Sequence, residues 1–424
     1  MQKNLRKRLR EMGVVRGVRE LAALPSRQRV AIEDLVPGRF LTTSRGRCFV
    51  AEETHPPGHC HGDLPLSAFL GLQPEVIAQI GQDDALANAD LRRVCFLDTE
   101  TTGLSGGTGT MAFVVGVGFF TSFADDFCVH QYFLRDPGDE LAQIEGLAEL
   151  LSEFEAIVSF NGRVFDVPII ENRFILARTP SPTANLPHLD LLQPARRLWS
   201  HGLPSCRLVT LEQEVLGVQR QQDDVPSGDI PYLYRDYLRT GDAREMQRVL
   251  YHNAIDILSL VTLAVKLCQA FAAPWDEENL SGAEFYGLGR WYAKEKQLEE
   301  TERAYRTALG QADLSPDLRA KVLRDLGYLL KRAGRKDEAF AYWQQQALEA
   351  TDDILAHVEL AKYFEWDVGD LSLAAGWTQA ALALVESWPA GLRRDDALDE
   401  LRHRLERLER KAEQSQNQNT TAQD

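Results

Sequence analysis

The chain reads as an α/β protein, a mixed sheet flanked by helices, continued by an all-α array of helical repeats. Three observations predict this. Apolar runs of strand length crowd residues 94–134, strand and helix patterns then alternate to about residue 270, and beyond Pro274 strand patterns give way to recurring helical ones. Successive strands followed by strand–helix alternation suit a mixed sheet covered on both faces. A repeat of about 34 residues marks stacked helix pairs.

Taken in order, residues 1–35 form a basic helix or arm, since residues 1–30 carry nine Lys or Arg against two acids. No signal-type apolar region follows Met1–Arg10, so secretion is not expected. Residues 36–62 read as short strands with a Pro56-Pro57-Gly58 turn. Strands are expected at 94–99, 111–119 and 127–134, then a helix over 139–152, a strand at 156–160 and a helix over 165–177. A short strand near 187–191 and helices near 207–217 and 242–270 complete a domain spanning 36–272.

Composition bounds what this domain can be. At 424 residues and 44% hydrophobic content the chain has room for two or three well-buried domains. No apolar run approaches the roughly 20 residues that span a bilayer, so no membrane role is expected. Six scattered cysteines without Cys-x-x-Cys pairs read as free thiols, and the expected location is a reducing cytoplasm.

Chemistry concentrates in three acidic segments. The run Val94-Cys95-Phe96-Leu97-Asp98-Thr99-Glu100 is a buried strand in which Asp98 and Glu100, two apart, project from one face. Such a pair calls for a raised pKa or a bound cation, and hard oxygen ligands suit Mg²⁺ or Mn²⁺. A second apolar strand breaks at Asn161-Gly162 and begins a helix carrying Asp166, and Tyr251-His252-Asn253-Ala254-Ile255-Asp256 sits in a long helical pattern.

These three segments resemble the ordered motifs of the DEDD 3′→5′ exonucleases in the ribonuclease-H-like superfamily. Within that group the chain is most similar to the YprB-type family, for which Gly106-Gly107-Thr108-Gly109 and a trailing helical region look typical. The resemblance covers roughly residues 36–270 and implies a ribonuclease-H-like fold. It further implies a two-metal site with Asp98 bridging both ions, Glu100 and Asp256 completing the inner shell, and Asp166 acting directly or through water. Two ions about 3.5–4 Å apart activate the water and hold the leaving oxygen. The residues around the motifs, Thr101, Gly103, Leu104, Asn161 and Arg163, are then the expected strand contacts.

The third motif departs from the group's common patterns, which place Tyr four residues or His five residues before the last Asp. Here His252 is at four and Tyr251 at five. The residue at minus four shares a helix face with Asp256, so His252 is expected to orient or deprotonate the water, with Tyr251 as the alternative.

The net charge of −16 weighs against a wide duplex-binding surface. It leaves room for a single-stranded 3′ end, DNA or RNA, held by ions and a few arginines. The glycine-rich stretch 102–110 lacks Gly-Lys-Ser/Thr and leads into a strand, so a hairpin connection is expected in place of a phosphate-binding loop. His55, His59, Cys60 and His61 read as a polar loop, with zinc as the lesser alternative because three of the four are consecutive. His188 and Asp190 are an auxiliary pair or, preferably, structural.

Residues 280–411 follow as tetratricopeptide-like repeats with a charged capping helix over 394–411. Leu326-Gly327 recurs as Leu360-Ala361 and Trp343 as Trp377, both at 34, while Leu288-Gly289 and Tyr305 precede at 38. Ala308, Ala339 and Ala380 supply the small positions, and Tyr292 and Phe364 the large aromatics. An unrelated helical bundle is the competing reading. The array offers a surface for a protein partner, and 412–424 reads as a disordered tail. The expected function is a metal-dependent 3′→5′ exonuclease; the alternatives are an inactive nucleic-acid-binding or scaffold protein, or a structure-selective endonuclease.

Overall fold

The computed structural model describes residues 29–103, 109–121, 125–220, 224–275, 280–349 and 353–421. The backbone divides into two compact units. One holds the described parts of Met1–Leu70, Ala89–His188 and Val218–Val261; the other holds Gly71–Asn88, Leu189–Gly217 and the described parts of Thr262–Asp424. The division differs from a boundary at residue 272, because segments distant in sequence join the repeats by packing. Most of the basic arm expected over 1–35 lies outside the described residues, and 29–35 contains a single 3₁₀ turn, Ile32–Asp34.

The strands are β1 (Gly38–Thr43), β2 (Gly46–His55), β3 (Cys60–His61), β4 (Leu64–Pro65), β5 (Val94–Thr101), β6 (Ala112–Phe120), β7 (Phe127–Phe133), β8 (Ala156–Ser159) and β9 (His188–Asp190). Seven of them form a mixed sheet in the order β1-β2-β7-β6-β5-β8-β9. β5 runs antiparallel to β6 and parallel to β8, so the strand bearing Asp98 and Glu100 lies inside the sheet. The side-chain period of two splits each strand between two cores. Cys48 and Val50 of β2 join Val115 and Val117 of β6 under helices α2 (Glu140–Leu151) and α3 (Asp166–Ala177). Phe49 and Ala51 turn the other way, with Phe113 and Val114, onto helices α6 (Ile230–Thr240) and α7 (Arg244–Ala272). There Tyr234 stacks on Phe113 at 3.9 Å, and its hydroxyl donates to the Leu134 carbonyl at 2.9 Å.

The seating of α7 is set by two glycines on one face of β6. A Cβ at Gly116 would lie 2.2 Å from Asn253 Oδ1, and one at Gly118 would lie 2.4 Å from Ile257 Cγ2. Their bare backbone lets the helix approach, which carries the third motif onto β5. By length and composition α7 is also apolar enough to cross a membrane, against the expectation that no segment is. Most of that stretch is buried within the fold, as in a core helix.

Three helices went unforeseen: α1 (Pro74–Gly81), α4 (Leu192–Trp199) and α6. The expected helix near 207–217 is a short α5 (Leu208–Leu211) continued by a π turn, Glu212–Leu216. Prolines at the first turns of α1 and α6 interrupt the apolar pattern while remaining compatible with a helix start.

The repeat region is three helix pairs, α8 (Gly282–Lys294) with α9 (Leu298–Gly310), α10 (Pro316–Arg332) with α11 (Lys336–Glu349), and α12 (Leu355–Tyr363) with α13 (Leu371–Glu386). The recurring residues make recurring contacts. A Cβ at Gly289 would meet the Tyr305 ring at 2.5 Å, and one at Gly327 would meet Trp343 at 2.3 Å. The same small-against-aromatic join therefore closes successive pairs, giving a tetratricopeptide-like array and not an unrelated bundle. In the third pair the buried small residue is Ala381, whereas Ala380 faces solvent. The last helix, α14 (Leu392–Thr421), starts near the expected cap and continues through most of the segment read as disordered. Its polar composition lacks a core-facing stripe there, but contains no Gly or Pro to stop a helix.

Candidate active site

Asp98 and Glu100 point from the same face of β5 toward α7. Asn253 Nδ2 donates to Asp98 Oδ2 at 2.7 Å, and Gln131 Nε2 donates to Asn253 Oδ1 at 2.8 Å and to the Leu250 carbonyl at 2.7 Å. This buried relay crosses directly above Gly116, which pairs with Asp98 on one side and Gln131 on the other. It holds one Asp98 oxygen in a fixed direction. Neither Asn253 nor Gln131 was picked out from sequence, although Asn253 lies within the third motif and Gly116-x-Gly118 marks a close approach.

Asp166 opens α3 beside the end of β5. Its Oδ1 accepts from the Thr99 N–H at 3.1 Å and from the Thr99 hydroxyl. Asp256, one turn beyond His252 on α7, binds the Arg220 guanidinium through Oδ1. The four acids share one electrostatic environment. Burial first, then Asp256 and Asp166, holds the Asp98 carboxyl well above the usual carboxylate range. Burial first, then Asp98, Asp256 and Asp166, does the same to Glu100. Arg220 opposes both shifts.

His252 is buried among these groups. Its Nδ1 lies 3.0 and 3.2 Å from the two oxygens of Asp224. A carboxylate only accepts and suits a proton on Nδ1, whereas the Arg220 guanidinium only donates and suits a lone pair on that same atom; the other ring nitrogen is Nε2. That Nε2 faces Asp256 Oδ2 at 3.7 Å, Glu100 Oε1 at 3.9 Å and Ser227 Oγ at 3.4 Å. Arg220 Nη1 approaches Nδ1 at 3.0 Å and Asp224 Oδ2 at 3.2 Å. Arg220 and Asp224 come from a polar stretch with no motif, so nothing local to the sequence marked them.

The donor chemistry fits hard divalent cations: four carboxylates crowd one site, and two are pushed toward protonation by burial and then by their neighbours. Among the described residues, no three His, Cys, Asp or Glu side chains already stand as a ligand set. Asp166 Oδ1 is turned onto Thr99 and Asp256 Oδ1 onto Arg220.

The expected strand contacts have mixed placements. Thr101 donates its hydroxyl to the Gly103 carbonyl at 2.8 Å, tying the exit of β5. Asn161 is exposed with φ of 64°, and its carbonyl accepts from the Val164 and Phe165 amides at the entry to α3. Arg163 is exposed and reaches the His188 carbonyl. Leu104 lies outside the described residues. His188 Nε2 is 2.7 Å from Ser159 Oγ, and Asp190 Oδ1 accepts from the Leu192 amide at 3.1 Å, both structural contacts. Of the histidine loop, the His55 and His59 rings lie 4.3 Å apart and tilted by 47°, while His61 Nε2 is 2.8 Å from Ser259 Oγ and Cys60 is exposed. The four do not converge on one point.

Comparisons with known proteins agree with this fold. A family model described as the RNase_H superfamily matches residues 95–268, which contain all three motifs. The chain is 31% identical over 380 residues to the uncharacterized protein YprB of Bacillus subtilis (strain 168), covering 86% of each. Among solved structures it is similar to PcrH from Pseudomonas aeruginosa (16% identity, 30% of this chain, 90% of that chain, TM-score 0.25). It is also similar to the APC/C hetero-tetramer Cut9-Hcn1 (18% identity, 41% and 29%, TM-score 0.25). At those scores the repeat architecture rests on the helix pairing itself.

Proposed function

Because the chain belongs to the YprB-type family of the ribonuclease-H superfamily, we propose that it is a metal-dependent nuclease acting as a 3′→5′ exonuclease on a single-stranded end. The observation that carries this reading is His252: a buried imidazole with Nε2 turned toward Glu100 and Asp256 and with Nδ1 against Asp224. Asp98, Glu100 and Asp256, joined by Asp166, are the residues that would hold Mg²⁺ or Mn²⁺. When bound, such ions supply an acidified water and charge stabilisation for the leaving oxygen. His252 Nε2 accepts the proton that the water gives up, and Asp224 stabilises the resulting imidazolium. The Gln131–Asn253 relay keeps Asp98 in position throughout.

One observation favours a second reading. The Arg220–Asp256 ion pair already neutralises one of the acids, as a nucleic-acid-binding protein without catalysis would have it. The readings separate on a single strand labelled at its 5′ end. With Mn²⁺, an exonuclease working from the 3′ end yields a ladder of progressively shorter labelled products, leaves a circular strand whole, and loses activity on Asp98→Asn. Internal cuts in the circle identify an endonuclease, and equal inertness of wild type and variant on DNA and RNA establishes the non-catalytic reading.

A further inference from the structure

In the second unit, α4 and the first helix of the repeats, α8, enclose a cleft of about 310 Å³. Its charged lining is entirely cationic: Arg196, Arg197, Arg290 and Lys294, with His201 at one side. In a chain of net charge −16 this is a reversal of the average. The backbone enforces it. Gly287 packs so tightly on α4 that a Cβ there would lie 2.4 Å from the Arg197 carbonyl oxygen, which sets the last turn of α4 against the middle of α8.

The cations divide by role. Arg197 is pinned, donating to the Ile80 carbonyl at 3.0 Å and to Gln82 Oε1 at 2.6 Å. Arg196, Arg290 and Lys294 are exposed, and among the described residues they pair with no carboxylate. Arg290 and Lys294 stand four apart on one helix face, a like-charge spacing that is unfavourable in a helix. His201, packed 4.8 Å from the Tyr286 ring, is held below its ordinary pKa by burial first and then by Arg290 and Lys321, with Asp325 opposing. The aromatic in the lining, Trp291, is buried and offers no apolar platform.

We propose that this cleft binds the phosphodiester backbone of single-stranded nucleic acid, as a contact distinct from the acid site. Forked guanidinium donors match phosphate oxygens, and several cations aligned along a groove suit a polyanion of regular charge spacing. The choice of nucleic acid over another polyanion rests on the nuclease reading of the first unit.

The test uses the full-length protein and a fluorescein-labelled 20-nucleotide single strand in EDTA, so that binding is read without metal or cleavage. In fluorescence anisotropy, Arg196→Glu/Arg290→Glu/Lys294→Glu is expected to weaken binding at least 10-fold. It should also lower the slope of log affinity against log salt by about 2, the value for three lost phosphate contacts on a single strand. The neutral Arg196→Gln/Arg290→Gln/Lys294→Gln variant should fall between, and unchanged thermal melts show that both variants fold. Unchanged affinity and slope overturn the proposal. So does a wild type that binds polyglutamate but not the oligonucleotide. The two readings fail separately: cleavage by wild type with strand binding indifferent to these substitutions removes the cleft alone, whereas cleft-dependent binding without cleavage under any metal removes the nuclease alone.

Discussion

Replacing Glu100 with Gln should stabilise the metal-free protein at alkaline pH, although the residue is buried and at the centre of the site. Its carboxyl is held well above the usual range by burial and then by Asp98, Asp256 and Asp166. A carboxyl whose pKa is raised by folding binds its proton more tightly in the folded chain. Its contribution is therefore fully present below the ordinary carboxylate range and is lost as pH rises through the folded pKa. The scale follows from His252: Glu100 Oε1 and Asp256 Oδ2 lie 3.9 and 3.7 Å from the same Nε2, so they are at most the sum of those lengths, 7.6 Å, apart. At that separation and an effective dielectric of about 20, two full charges repel by about 2 kcal/mol. Repulsion from Asp98 and Asp166 adds to this and attraction to Arg220 subtracts. Glu100→Gln should then gain about 2 kcal/mol in EDTA at about pH 8, or several degrees in Tm, and little at about pH 5. Mn²⁺ should raise the Tm of wild type at about pH 8 and that of the variant much less. Thermal unfolding at both pH values, with EDTA or Mn²⁺, checks this. A variant destabilised equally at both, or stabilised by Mn²⁺ as much as wild type, would refute the electrostatic account of the site.

Three further outcomes follow from named contacts. Gly116→Ala forces a Cβ to within 2.2 Å of Asn253 Oδ1; it should cost about 1–3 kcal/mol in urea unfolding and reduce cleavage by displacing the Asn253–Asp98 bond. Asp224→Asn keeps the shape but loses the negative charge beside His252 Nδ1 that would stabilise an imidazolium, so kcat should fall on the order of 100-fold with KM little changed, in steady-state cleavage at saturating Mn²⁺. Gly327→Ala places a Cβ 2.3 Å from the Trp343 indole nitrogen; a loss of about 1–3 kcal/mol is expected in the helical signal of thermal unfolding.

Much of the sheet domain was legible because its strands are apolar runs with clear ends. The observed β5, β6, β7 and β8 fall within a residue or two of the expected spans. The helices α4 and α6 were not legible: each is amphipathic but short, with a proline near its start that reads as a turn. The division into units was hidden for a related reason. Residues 71–88 and 189–217 belong with the repeats through packing between segments far apart in sequence, and local patterns carry no information about which distant surface a helix meets.

The candidate site divides along the same line. Sequence alone determined the acidic residues, the placement of Asp98 and Glu100 on one face of a strand, and the four-residue spacing of His252 and Asp256 on one face of a helix, because these follow from the periods of single elements. Tertiary structure decided which group orients each of them. Asn253 reaches Asp98 only because Gly116 bares the strand beneath it, Asp224 turns His252 Nε2 toward the acids, and Arg220 supplies the cation that tempers their repulsion. Each of those relations joins residues from different elements, and its geometry exists only once α7 has packed on the sheet.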